Sequence, residues 1–127
     1  MDLVKTIKKS KQDETKHALD KLTFIEKAED KWFDDDVENP NKDSIDKSRE
    51  IITKLGKVGI IPRRVSPTIE EGICLVYDFN DDDCYLEIYN NGEMGILVED
   101  TKMKKIKLNI DLKNSNDAIK TIKRYCK

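Results

Sequence analysis

The chain has 127 residues, of which 39% are charged, 37% hydrophobic and 6% aromatic. This length predicts one domain over residues 1–127 with a modest core, in which residues 1–10 extend the first helix or fray. No apolar run approaches the roughly 20 residues that cross a bilayer, and the N-terminus lacks the pattern of an export signal. We therefore expect a cytoplasmic protein with no membrane span.

Apolar residues at helical spacing predict two amphipathic helices in the first half of the chain, over about residues 12–30 and 43–56. Asp43 or Ser44 is expected to cap the second helix, because both side chains can accept a hydrogen bond from the first helical turn. The Asn/Asp-rich stretch between the helices predicts a loop. Trp32, at the start of that loop, is expected to pack beneath the junction of the two helices.

Four later segments alternate apolar and polar residues, which is typical of strands that bury one face. They predict strands over residues 73–79, 84–89, 93–99 and 103–110. Asn91-Gly92 predicts a tight hairpin, and Gly72 is expected to supply a backbone torsion angle that a side chain would forbid. The last strand alternates most strictly, and its residues expected on the buried face are Ile106, Leu108 and Ile110.

A segment with two prolines, residues 60–68, precedes these strands. Because proline lacks the N–H donor that strand pairing needs, the segment can form only an edge strand or an extended connector. After the strands, Asn114 or Ser115 is expected to cap a final helix whose apolar stripe reaches Cys126. The predicted fold is α+β, with two N-terminal helices, a four-stranded antiparallel meander sheet and a C-terminal helix.

The residue types that catalysis needs are scarce. His17 is the only histidine and stands in a Lys/Glu-rich helix, where we expect it to be exposed, so a Ser-His-Asp arrangement would depend wholly on it. Cys74, Cys84 and Cys126 lack the paired spacing of a zinc site or a disulfide framework. The glycines match neither dinucleotide-binding nor P-loop spacing. We therefore expect no enzyme, no cofactor and no metal ion.

Charge is distributed unevenly along the chain. Residues 65–100 carry ten acidic and no basic residues. Because acid–base complementarity speeds encounter and sets specificity, this stretch predicts an acidic sheet face that binds a basic protein, such as a toxin or nuclease. The alternative is that the acids only solubilise the sheet and protect its edges. The residues predicted to contact the partner are Glu71, Asp78, Asp82, Glu87 and Glu93.

The C-terminal region has the opposite charge, with nine basic and two acidic residues in positions 101–127. Lysine clusters of this kind contact phosphates, so a nucleic-acid-binding regulatory or accessory protein is the second hypothesis. The sequence pI of about 5.5 opposes it, and a further possibility is that the basic region packs beside the acidic sheet and neutralises it. The residues predicted to contact nucleic acid are Lys104, Lys105, Lys107, Lys123 and Arg124.

A longer pattern covers about residues 30–98. Trp32, three acids and Pro40 precede a helix, which is followed by Val65-Ser66-Pro67-Thr68, Glu71-Gly72-Ile73, Leu86-Glu87-Ile88 and Gly92. The pattern resembles a broad group of small, mostly uncharacterised prokaryotic proteins with a Trp-acidic loop, a helix and a V-x-P-T-x-x-x-G-I strand. The resemblance implies a compact domain without established catalytic residues and a place in defence-type neighbourhoods such as toxin–antitoxin pairs. An antitoxin- or immunity-type neutraliser is therefore the function that we expect.

Overall fold

The computed structural model describes residues 3–125, with side chains from residue 10 onward, and it has the expected α+β architecture. Its sheet is an antiparallel meander of five strands in the order β1-β2-β3-β4-β5. The elements are α1 (Leu3–Lys27), α2 (Lys42–Gly56), β1 (Arg64–Thr68), β2 (Gly72–Phe79), β3 (Asp82–Tyr89), β4 (Met94–Asp100), β5 (Lys105–Leu112) and α3 (Ser115–Tyr125). The two N-terminal helices, the meander and the C-terminal helix were all predicted.

The count of four strands was wrong, because the proline-containing segment forms β1 and pairs with β2. Pro67 lies opposite Ile73 in this pairing. The pairing tolerates Pro67 because β1 is an edge strand, which has a second strand on one side only and leaves half of its N–H groups without a strand partner. Of the two structures expected for the proline-containing segment, it therefore forms the edge strand.

The core lies between one face of the sheet and the three helices. Leu22 of α1, Ile52 of α2 and Ile122 of α3 are fully buried against alternate residues of the strands, including Leu75 and Leu86. Within each helix the buried positions are three or four residues apart, as Ala18, Leu22 and Ile25 are in α1, so each helix buries one side and leaves the other to solvent. The predicted helical stripes therefore identified the buried faces.

Trp32 packs against this core where α1 ends, as expected from its place in the sequence. Its ring meets that of Phe24 edge-to-face, with 6.1 Å between the ring centroids. Phe24 itself is largely exposed, and the ammonium group of Lys21 lies 5.5 Å from the centre of its ring. The loop after α1 is therefore anchored to the core through one aromatic side chain.

The cap of α2 differs from the expectation of Asp43 or Ser44. Asn41 is the capping residue, and its side-chain oxygen accepts a hydrogen bond from the Ser44 N–H at 3.0 Å. The first helical turn therefore begins earlier than predicted, since asparagine caps a helix as well as aspartate or serine does. At α3 the expectation was confirmed, because the Asn114 side chain accepts from the Asp117 N–H at 2.9 Å.

Two glycines are required for different reasons. Gly92 has a φ of 92°, which a hairpin turn needs and which other residues rarely adopt. Gly72 has no positive φ, so the reason predicted for it was wrong. A Cβ atom there would lie 2.1 Å from the carbonyl oxygen of Ile88, so the backbone of β3 approaches too closely for any side chain.

The strict alternation predicted for the last strand is broken. A register shift opposite Val98 and Glu99 inserts an extra residue into β5, so that Leu108 pairs with Val98 but Ile106 pairs with Glu99. Such a bulge moves one side chain to the other face of the sheet. Ile106 therefore faces away from the helices and is 48% exposed, so the position predicted for it was wrong. Leu108 and Ile110 lie on the predicted core face, opposite Val98 and Ile96. Only Leu108 packs against the core, because β5 is an edge strand and leaves Ile110 41% exposed.

None of the helices described between residues 3 and 125 is long and apolar enough to cross a membrane. Cys74 and Cys84 are free thiols, and Cys84 is buried in the core as a small apolar residue. Cys126, predicted to continue the stripe of α3, lies outside the described residues.

Candidate protein-binding surface

The face of the sheet opposite the helices, called the open face, has an apolar centre. Val76 of β2 pairs with Tyr85 of β3, and Tyr85 pairs with Leu97 of β4, so the three form one row across the sheet. Val76 is fully buried by its neighbours, whereas Tyr85 and Leu97 are half-buried. Cys74 lies one row away and is also half-buried. The centre of the open face therefore offers an aromatic ring and aliphatic surface to a partner.

A row of three carboxyl groups borders this centre at one end. Asp78 pairs with Asp83, and Asp83 pairs with Glu99 on the next strand. The pKa of Asp83 is raised chiefly because its protonated form donates a hydrogen bond to the Asp78 carboxylate; burial and the charges of Asp78 and Glu99 add to the rise. Arg63 compensates in part, because its Nε lies 2.7 Å from a carboxylate oxygen of Asp78. Like charges directly opposite one another destabilise a sheet, so this row costs stability.

A second acidic group surrounds Tyr89 at the other end of β3. The Tyr89 hydroxyl donates a hydrogen bond to the Glu87 carboxylate, and this bond is the main cause that raises the pKa of Tyr89. Tyr89 also lines a cleft of about 440 Å³ together with Glu71 and Glu93. One carboxylate oxygen of Glu71 already accepts a hydrogen bond from the Glu38 N–H at 2.7 Å. Three of the five predicted acidic residues are thus brought together here.

Asp82, also predicted to contact the partner, lies elsewhere. It precedes Cys84 by two positions and so has the parity of the buried face of β3. Both of its carboxylate oxygens accept hydrogen bonds from Lys107 Nζ at 3.0 Å, which raises the pKa of Lys107. Lys102 similarly lies 3.2 Å from Asp81. At this corner the basic region does neutralise acidic residues, as one of the sequence-based alternatives proposed.

The predicted nucleic-acid-binding residues occupy two segments, the β4–β5 turn with the first half of β5, and the last turn of α3. Lys104 occupies the turn with a φ of 55°, and Lys105 begins β5 opposite Asp100. Lys123 and Arg124 are exposed in the last turn of α3. Lys107, the remaining member of the set, forms the ion pair with Asp82 described above. Because α3 follows β5 after a short connection and packs against the same core, both groups lie on the β5 side of the molecule.

The open face also carries residues that the sequence did not single out as contacts. Asp83 and Glu99 were recognised only as part of the acidic stretch, and Tyr85, Leu97 and Asp111 were not proposed. The alternation along β3 and β4 could have identified these residues as lying on the open face, because residues between the buried positions of a strand face the opposite side of the sheet. The identity of the contacts depended on knowing which strands are neighbours.

The two described cysteines lie in settings that do not activate them. Burial, and then the charge of Glu87, raise the pKa of Cys74 to about 11, and burial raises the pKa of Cys84 to about 12, so both remain thiols at neutral pH. His17 is exposed and lines a cleft of about 820 Å³ between α1 and β1, beside Arg63 and Arg64. Within the described part of the chain, no group of three His, Cys, Asp or Glu residues could hold a metal ion.

No protein-family model matches this chain, and comparisons with curated proteins and with solved structures give no significant match. The resemblance to small prokaryotic defence-neighbourhood proteins therefore stays a prediction.

Proposed function

We propose that this chain is a non-catalytic protein-binding module whose open face covers a basic surface of a partner, in the manner of an antitoxin or immunity protein that neutralises a toxin or nuclease. The observation that carries the proposal is the open face itself. It has an apolar row at its centre and carboxyl groups at both ends, while the helices pack on the opposite face.

The composition of this face suits a protein interface. An aromatic side chain at the centre supplies contact area at little cost in conformational entropy, and hot spots concentrate where residues such as Tyr85 can be desolvated. The surrounding carboxylates of Asp78, Asp83, Glu87 and Glu99 attract a basic surface and speed encounter. A basic partner would also relieve the repulsion in the row of Asp83, because its cations would be shared among three carboxyl groups.

The test is affinity capture from a lysate of the source organism at low and high salt, with and without nuclease. Wild-type chain is expected to retain one stoichiometric basic protein after nuclease treatment, and less of it as salt rises, since exposed charges are screened. Leu97→Lys and Glu99→Lys should each reduce capture at least tenfold. These two substitutions lie on half-buried, solvent-accessible positions, and circular dichroism checks that the variants fold.

The matched control is Asp20→Lys. It changes the charge by the same amount as Glu99→Lys, but at an exposed position of α1, away from the open face. Capture should be unchanged in this variant. If Asp20→Lys and Glu99→Lys weaken capture equally, net charge rather than the open face determines binding. If neither Leu97→Lys nor Glu99→Lys has an effect, the proposal is wrong.

A second candidate is nucleic-acid binding, favoured by the exposed patch of Lys104, Lys105, Lys123 and Arg124. Among the described residues these four side chains form no ion pair with an acidic side chain, which leaves them available for phosphate contacts. In the same capture experiment, this function would appear as nucleic acid lost with nuclease. Lys105→Glu should abolish such retention, while Glu99→Lys should leave it intact.

A further inference from the structure

The two edges of the sheet differ in how far they are closed to strand pairing. β1 has only five residues, contains Pro67 and has α1 packed beside it. β5 has eight residues, with no proline or glycine, and most of its side chains are exposed. Its bulge is confined to the start of the strand, so residues 108–112 keep a regular register. An exposed edge strand of this length is a template for pairing with another strand. Ile106 and Ile110, 48% and 41% exposed, add apolar surface along it.

The side of the molecule that carries β5 has opposite charges at its two ends. α3 begins three residues after β5 and contacts it, and Ala118, Ile122 and Tyr125 pack against the same core as Leu108 of β5. The helix therefore runs back along the strand. One end holds Lys104, Lys105, Lys123 and Arg124, and the other end holds Asp111 and Asp117 with Lys113 between them.

From this polarity we infer that the partner of the β5 edge is a second copy of the same chain, paired antiparallel about a two-fold axis perpendicular to the sheet. Antiparallel pairing of two identical strands sets the beginning of each against the end of the other. The lysine-rich end of each copy then meets the end with Asp111 and Asp117. The pairing also brings Ile106 on the open face and Ile110 on the opposite face of each copy toward the joint, where part of their exposed surface would be buried.

The arrangement would join two five-stranded sheets into a continuous ten-stranded sheet, with both open faces on the same side. β5 supplies main-chain hydrogen bonds, and β-strand addition of this kind needs no pocket. Because side-chain burial is confined to one strand and the flank of α3, we expect reversible association that depends on protein concentration. Added salt should weaken it, because the end-to-end attraction is screened.

Sedimentation equilibrium of the full chain over a range of concentrations tests the inference. The average mass should rise from the 14.7 kDa of one chain toward twice that value. Ile110→Lys places a charge from each copy at the joint and should weaken association at least tenfold. Val58→Lys is the matched control, since Val58 is 56% exposed beyond the end of α2 and away from β5, and it should associate like wild type.

A charge exchange tests the polarity separately. Lys105→Asp and Asp111→Lys should each weaken association, whereas the chain carrying both substitutions should regain it, because each end again meets an opposite charge. A wild-type chain that remains monomeric at every concentration would overturn the inference. So would a dimer that Ile110→Lys leaves unchanged, since its interface must then lie elsewhere. Neither result bears on the open face, whose capture experiment uses different residues.

Discussion

Tyr77 is an unusual residue in the core of this protein. Its ring stacks on that of Phe79 and lies opposite Cys84 in the sheet, and its side chain is fully buried. The hydroxyl has no hydrogen-bond partner, and burial raises the pKa of Tyr77. An unsatisfied buried hydroxyl costs roughly 1–3 kcal/mol. The oxygen of Tyr77 therefore opposes the stabilisation that its ring provides.

Replacing Tyr77 with phenylalanine should remove this penalty and keep the ring. We expect Tyr77→Phe to raise the free energy of unfolding by about 1 kcal/mol, measured by urea denaturation. Tyr85→Phe is the control. The Tyr85 side chain is half-buried on the open face, so removing its hydroxyl should change the free energy of unfolding little. A clear loss of stability in Tyr77→Phe would show that its hydroxyl is hydrogen-bonded in solution.

At the scale of elements, Asn90 joins α2 to the hairpin between β3 and β4. Its side-chain oxygen accepts from the Asn41 N–H and from the Ser44 hydroxyl, both at 2.9 Å. Its amide group donates to the carbonyl oxygen of Asn39 at 2.9 Å. One side chain thus holds the helix N-terminus, the preceding loop and the sheet together. The sequence indicated the neighbouring Asn91-Gly92 turn but not this role of Asn90.

Asn90→Ala should separate these elements at a cost of about 2–3 kcal/mol, since three hydrogen bonds of about 1 kcal/mol each are lost. Thermal and urea denaturation measure the change. Asn91→Ala is the neighbouring control, because the Asn91 side chain accepts a single exposed hydrogen bond from the Glu93 N–H, and it should cost less than half as much. Equal losses in the two variants would contradict the joining role of Asn90.

At the scale of the whole molecule, charge is arranged by region. The open face carries the carboxyl row of Asp78, Asp83 and Glu99, while the corner beside α3 is basic. Where the two regions meet, Lys107 and Asp82 neutralise each other. The net charge of the chain is only −2, although one surface is acidic and another is basic.

The carboxyl row makes stability depend on pH. The pKa of Asp83 is higher in the folded chain than in the unfolded chain, so its contribution to stability is present below the ordinary carboxyl pKa and is lost as pH rises through the raised value. At neutral pH the charge of Asp83 is repelled by Asp78 and Glu99 and attracted by Arg63, beside the ring of Tyr85.

Asp83→Asn should therefore raise the free energy of unfolding at neutral pH by roughly 0.2–1 kcal/mol, toward the lower end because solvent screens the row. The gain should vanish below a pH of about 4, where Asp83 is protonated and carries no charge. Urea denaturation at both pH values measures it. Asp20→Asn, on the exposed side of α1, should show no such pH-dependent gain. A gain that persists at low pH would point to packing instead of charge.

Local patterns predicted most of the elements but not their neighbours. The stripes of α2 and α3, the alternation of β2 to β4 and the Asn91-Gly92 turn depend on residues close in sequence, which the chain itself displays. The fifth strand was missed because Pro67 is compatible with either an edge strand or a connector. The cap at Asn41 was missed because several neighbouring residues can cap a helix equally well.

The candidate surface shows the same division. The sequence by itself determined the acidic stretch, the period of two and hence the existence of a face opposite the core. Only the tertiary structure decided that Asp78, Asp83 and Glu99 form one row. It also decided that Asp82 forms an ion pair with Lys107, and that a bulge turns Ile106 outward. The physical reason is that strand register and ion pairing join residues far apart along the chain, and no local pattern encodes which of them will meet.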